Sequence, residues 1–163
     1  RKNVPLIIKA YAMGKDKMDG CKLVIAGHKG WEFNEIFELV KRYKLEKDIV
    51  FPGYVSDIPK IMKGAAGFVF PSLYEGFGMP PLEAMAAGVP VITSNIPSLS
   101  EVVGNAAIKV GVRETEELSE AMLTLLSDNS LRRQLIAKGI ERAKEFTWER
   151  SADLIYQIYR ELL

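Results

Sequence analysis

The 163 residues hold a single cysteine, Cys21, so no internal disulfide can form and a reducing compartment is the matching environment. Cys21 adjoins an apolar run and reads as a buried strand thiol rather than a nucleophile. There is one histidine, His28, no Asp-x-Asp, and no cluster at metal-ligand spacing, so no metal site is expected. Lysine and arginine total 22 against 21 acidic residues, a balance that creates no field to draw in nucleic acid. No block of like charges forms a tail. The longest nearly apolar stretches, such as 84–93, are too short to span a bilayer and are interrupted by Gly88 and Pro90. The absence of a Gly-x-x-x-x-Gly-Lys-Ser/Thr run removes the P-loop, and the absence of an aspartate cluster argues against a phosphorylation receiver domain. No repeat, low-complexity segment or Pro/Gly/Ser linker divides the chain, which reads as one domain over 1–163.

What is present alternates. Asn3 reads as an N-cap, with Val4 and Pro5 opening a helix whose apolar positions Leu6, Ile7, Ala10 and Tyr11 follow helical spacing. The run 22–27 predicts a buried parallel strand ending in Gly27, and 31–43 an amphipathic helix with Phe33, Ile36, Phe37, Val40 and Tyr43 inward. A strand over 49–51 is stopped by Pro52-Gly53, Asp57 caps a short helix to Lys63, and a strand over 67–70 is stopped by Pro71. A helix over 80–87, a strand over 90–93, a Ser-x-x-Glu capping box at 98–101 and a weak strand over 106–110 follow. Helices over 115–127, 131–145 and 147–163 close the chain. Short apolar strands alternating with helices predict an α/β fold, a Rossmann-like, doubly wound parallel sheet with C-terminal helices. Such sheets normally enter on a strand, whereas this chain enters on a helix and without a methionine. The expectation is that a first strand lies upstream and that the chain is trimmed or cut from something longer.

In an open parallel sheet, ligands sit beyond the carboxyl ends of the strands. Here those ends are the segments 27–30, 52–56, 72–79 and 93–95, rich in glycine, hydroxyls and accessible backbone. The segment Glu75-Gly76-Phe77-Gly78-Met79-Pro80-Pro81-Leu82-Glu83 holds two carboxylates eight positions apart across a glycine turn and a helix start. Gly76-x-Gly78 lacks the third glycine of a dinucleotide fingerprint, since position 81 is proline. The two glutamates admit three readings. As a glycosidase pair they would need a sugar cleft that nothing in the sequence supplies. As solvated charges they sit oddly in a loop holding Phe77, Met79 and Leu82. As acceptors they match the vicinal hydroxyls of a nucleotide sugar, while N–H groups at the helix start face its diphosphate. Pro80 and Pro81 contribute no N–H, which confines those donors to the surroundings of 77–79 and Leu82.

Segment 75–83, with Ala84-Met85-Ala86-Ala87-Gly88-Val89-Pro90-Val91-Ile92 behind it, closely resembles the glutamate-seven-residues-glutamate motif of retaining glycosyltransferases. The group is the large family 4, also called group 1, of GT-B architecture. The likeness runs over nearly the whole chain: Arg1-Lys2-Asn3 resembles the end of a phosphate-binding loop, 50–55 a base-binding strand and loop, and Phe146-Thr147-Trp148-Glu149 the opening of the last helix. It implies that Glu83 accepts from the ribose hydroxyls and Glu75 from hydroxyls of the transferred sugar. Backbone groups of Phe77, Gly78 and Met79 would line the sugar and diphosphate, and Leu82 would pack near the ribose. Lys2 would neutralise the diphosphate leaving group, the alternative being a frayed terminal lysine. Backbone at Val55 would read the base edge, and Gly27 and His28 would neighbour the pocket, His28 by position alone.

The resemblance further implies a metal-independent enzyme with no cofactor, its substrate a UDP-, GDP- or ADP-linked sugar and its acceptor a sugar or lipid-linked glycan. The family's phosphate-binding arginine belongs to a Gly-Arg pair upstream of position 1. Its amino-terminal, acceptor-binding domain would also lie outside this chain, which would be the carboxy-terminal donor-binding domain, inactive by itself. The apolar residues of the last helix either pack toward that other domain or belong to ordinary core. The expected location is cytoplasmic, with a peripheral place at the inner face of a membrane open to the intact protein. A nucleotide-sugar epimerase of the same architecture and a non-catalytic nucleotide-binding module are the alternatives.

Overall fold

The structure, a computed structural model, describes residues 1–27 and 33–162; His28 and Trp31 lie outside them. In chain order the elements are α1 (Val4–Gly14), β1 (Leu23–Ala26), α2 (Phe33–Arg42), β2 (Ile49–Gly53), α3 (Ile58–Lys63), β3 (Phe68–Phe70) and α4 (Met79–Ala86). Then come β4 (Val91–Ser94), α5 (Pro97–Val103), β5 (Ala107–Val110), α6 (Thr115–Ser127), α7 (Asn129–Lys144) and α8 (Trp148–Glu161). Every strand pair is parallel, as the alternation of short apolar runs and helices predicts.

The strands hydrogen-bond in two groups, β1–β2 and β3–β4–β5. In the second group β4 is central and all four of its residues are buried. Successive strand side chains point to opposite faces, and β4 uses both. Ile92 joins the cluster of Ile8, Leu45, Val110 and Leu118, while Val91 joins Met62, Ala84, Met85 and Val103. Helices thus cover both faces, which is the doubly wound arrangement. The first group differs from a strand pair buried on both sides. Leu23 and Ile25 pack on the core, whereas Val24 and its register partner Val50 are 46% and 41% exposed.

Several local expectations are corrected. β2 continues through Pro52 to Gly53, because it is an edge strand and a missing N–H there forfeits no ladder bond. Tyr43 falls just past α2 and is exposed rather than inward. Cys21 is half-buried and precedes β1 instead of lying in it. α8 buries none of its residues, so its apolar side chains are not ordinary core.

Asn3 does precede α1, yet its side chain makes no capping bond. Its backbone is left-handed, with φ 58°, which asparagine tolerates better than most residues. That turn sends Nδ2 to the carbonyls of Pro71, at 3.1 Å, and Val112, at 2.9 Å. One amide therefore braces the start of α1 against the chain leaving β3 and the chain leaving β5. Asn3→Ala is expected to lower the unfolding free energy by about 2–3 kcal/mol, through two unpaired carbonyls and the left-handed backbone. Asn3→Gly, free of the backbone penalty, should lose less. Urea unfolding of the two variants measures this, and a wild-type midpoint for Asn3→Ala would refute the brace.

Candidate functional site

The carboxyl end of β3 is fastened from below by hydroxyls of β4. Thr93 Oγ1 donates to the Phe70 carbonyl at 2.9 Å and Ser94 Oγ to the Ser72 carbonyl at 2.6 Å, all in the interior. Beyond Ser72 the chain surfaces, exposing Leu73 and Tyr74, and then turns back at Glu75. The Glu75 carbonyl accepts from Ser98 Oγ at 2.8 Å. Ser98 was expected to open a capping box, but α5 starts at Pro97 with Ile96 as its uncapped N-cap. The fixed φ of proline begins the helix two residues earlier, and the serine hydroxyl is left to reach across to the loop. Gly78 closes the turn with φ 121°, where a Cβ would come within 2.5 Å of Leu99 Cδ2. Only glycine meets both the backbone and the space.

The structure brings together Lys2 and Glu75, 73 positions apart, with Nζ 2.6 Å from Oε1. Lys2 Nζ also stands 4.3 Å from the centre of the Phe70 ring, a favourable seat for a cation. The Glu75 side chain is 10% exposed and that of Lys2 41%. Burial by itself would raise the Glu75 carboxyl. The Lys2 ammonium, the Ser72 hydroxyl and the charge of Arg1 outweigh burial and hold it below its ordinary value. Ser72 Oγ is fully buried and completes no hydrogen bond of good geometry, so it acts on Glu75 as a nearby dipole rather than a closed partner.

Behind the loop α4 begins bare. Gly78 offers no side-chain cap, no acidic residue occupies the first turn, and the Leu82 N–H reaches the Gly78 carbonyl at a long 3.5 Å. With Pro80 and Pro81 lacking N–H, the donors at this positive helix end are the amides around Gly78 and Met79. Glu83 is exposed on the same helix one turn in, and helical side chains lean toward the N-terminus. Phe77 and Met79 are open at the mouth, while Leu82 is buried beneath it. Gly27 and Val55 follow the other strand pair, where Gly27 N–H donates to the Gly53 carbonyl at 2.9 Å. Among the described residues no group of three or more His, Cys, Asp or Glu is placed to hold a metal ion, and no helix is long and apolar enough to cross a membrane.

The arrangement can present one cation, two carboxylates and a few amide donors to a ligand carrying both anionic and hydroxyl groups. Sequence reasoning singled out Lys2, Glu75 and Glu83, of which the structure joins Lys2 and Glu75, and did not foresee the contacts of Ser98 and the Asn3 amide. The one available signal for Ser98 was the proline directly before it.

The family described as "Glycosyl transferases group 1" matches residues 1–142. The O-antigen chain mannosyltransferase B of Escherichia coli is 38% identical over 165 residues, covering 99% of this chain and 43% of that protein. Among solved structures, sucrose-phosphate synthase from Thermosynechococcus elongatus superposes with a TM-score of 0.83 at 29% identity, covering 99% of this chain and 42% of that one. The Anabaena protein HepE, in complex with UDP and glucose, shares the fold with a TM-score of 0.82 at 21% identity, over 95% of this chain and 44% of its own. The chain therefore spans less than half the length of these proteins.

A carboxyl held below its ordinary value in the folded state contributes stability above its unfolded value, here 4.5, and that stability is lost as pH falls through the folded value. Acid unfolding monitored by circular dichroism should therefore steepen below about pH 4.5. Glu75→Gln should remove that component and leave the profile above pH 6 flat; an unchanged acid limb would show that Glu75 carries none of it.

Proposed function

The chain belongs to the group 1 glycosyl transferases, and on that premise we propose that it is the donor-binding half of a retaining, metal-independent hexosyltransferase. The observation that carries this reading is the Lys2–Glu75 pair beside the uncapped N-terminus of α4, with Glu83 on the same helix. A nucleoside diphosphate sugar offers a counterpart to each part. Its diphosphate takes Lys2 and the amides around Gly78 and Met79, and the ribose diol donates to Glu83. Hydroxyls of the transferred sugar donate to Glu75, whose charge is already secured, with Phe77, Gly78 and Met79 lining the sugar and diphosphate. The base edge meets backbone at Val55, beyond β2, and Gly27 neighbours the pocket.

The donor's arrival divides the Lys2–Glu75 contact. The ammonium turns to the phosphate oxygens while the carboxylate takes sugar hydroxyls in its place. Departure of the nucleoside diphosphate is then helped by positive groups already in position, an electrostatic contribution that requires no further ion. The 38% identity to a mannosyltransferase favours mannose as the sugar, and the UDP bound by HepE favours nucleoside diphosphates as a class. The acceptor, a sugar or lipid-linked glycan, would be held by the remaining part of the protein, and with it any contact at a membrane surface.

Two features support an incomplete sheet and a second domain. The Arg1 carbonyl accepts from the Leu73 N–H at 3.0 Å, just past the end of β3. A strand running into Arg1 would therefore lie parallel to β3 and join the two strand groups into one sheet. On α8, Trp148, Leu154, Ile155, Ile158 and Tyr159, with Leu162 just beyond it, are all more than half exposed, an apolar stripe that a partner domain would cover.

Titration of UDP, GDP and ADP, and of their glucose and mannose conjugates, into the chain tests the reading. Millimolar binding of one pair is expected, weakened about 10- to 100-fold by Glu83→Ala, the loss of charge-assisted hydrogen bonds. No binding by any member, or indifference to Glu83→Ala, would sink it.

A further inference from the structure

We infer that Arg142 and Phe146, at the end of α7, are positioning residues for the 75–78 loop and govern its grip on the sugar part of the donor, an inference that rests on the donor-binding reading above. Neither residue belongs to the glutamate motif, and both lie more than sixty positions beyond that loop. Arg142 joins three structures. Its Nε donates to the Val102 carbonyl at 3.0 Å and its Nη2 to the Glu101 carbonyl at 2.6 Å, closing the carboxyl end of α5. Its Nη1 pairs with Glu145, and its guanidinium lies 4.9 Å over the Phe146 ring. Phe146 then turns its ring nearly perpendicular to Phe77, at 77° with centroids 5.7 Å apart.

Both arms of this junction end on the same loop. Through α5 it reaches Ser98, bonded to the Glu75 carbonyl, and Leu99, packed against Gly78. Through Phe146 it reaches Phe77 directly. The loop residues 75, 77 and 78 thus each rest on a support tied back to Arg142. A planar five-donor fork suits this task, since it bonds two carbonyls and a carboxylate while stacking on a ring; an ammonium cannot do both. The base and ribose contacts, at Val55 and Glu83, lie on elements that Arg142 and Phe146 do not touch in these interactions. Gly78 also faces the diphosphate, so loosening the junction should harm recognition of the sugar more than that of the nucleotide, which keeps its base, ribose and Lys2 contacts.

The test titrates GDP with GDP-mannose, and UDP with UDP-glucose, into the wild-type chain, Phe146→Ala, Phe146→Tyr and Arg142→Lys, with thermal unfolding of each. In Phe146→Ala the ratio of sugar-conjugate to diphosphate affinity is expected to fall about three- to tenfold, the worth of one aromatic pair, with diphosphate affinity lowered less than that for the sugar conjugate. Phe146→Tyr, which keeps the ring, should restore the ratio. Arg142→Lys should lower it with the charge unchanged, and supplies the same readout if Phe146→Ala does not fold. Wild-type binding with an unaltered ratio in Phe146→Ala and Arg142→Lys overturns this inference alone. So does an equal loss of both affinities, which marks a merely structural role. Absence of wild-type binding to all four ligands overturns the donor reading and this inference with it.

Discussion

The contact between Lys2 Nζ and Glu75 Oε1 is the interaction around which the carboxyl end of β3 is arranged. Glu75 is largely withdrawn from water, and a withdrawn carboxylate normally gains a proton. It keeps its charge because an ammonium is delivered from the opposite end of the local sequence, by the residues preceding α1. That delivery depends on Asn3, whose left-handed turn and two carbonyl bonds place Lys2 over the Phe70 ring. The loop's shape follows from the same need. Ser98 holds the Glu75 carbonyl and Leu99 fills the space a side chain at 78 would need, so the backbone that carries the carboxylate is fixed beside its partner.

A resting pair of this kind has two effects on a ligand. It keeps each group hydrogen-bonded when the site is empty, so neither is left unpaired in a partly dry place. In the proposed donor site it would also make occupancy an exchange of partners: whatever displaced Lys2 would have to leave Glu75 with hydroxyl donors, or the carboxylate would be stranded. A diphosphate without a sugar satisfies only one side of that exchange. Discrimination between the two would thus arise from an ion pair that contacts itself in the absence of ligand.

The parts of this architecture legible from sequence are those written in short stretches. Apolar runs of strand length between amphipathic segments give the α/β alternation, and Glu75 to Glu83 is contiguous, so its glycine turn and helix start can be recognised together. What escaped is written across distance. The Lys2–Glu75 contact spans 73 positions and the Arg142–Val102 bond spans 40, and no local pattern announces either. Ser98 was misread because Ser-x-x-Glu is a local signature that Pro97 overrides. The exposure of α8 was left open for a different reason: amphipathic spacing says that a face will be covered, never by what.

The division of the strands into two groups has a consequence for the chain in solution. A five-stranded open sheet has two edges, whereas this arrangement has four, on β1, β2, β3 and β5. Backbone groups along a free edge are a template for strand addition, and β3, with no charged residue in its three, has none of the usual deterrents. Pro52 blunts β2, and Lys109 serves the same purpose on β5. Among the described strands, β1 and β3 are the edges that carry neither charge nor proline. Strand addition between copies of the chain is therefore expected along those two edges before the others.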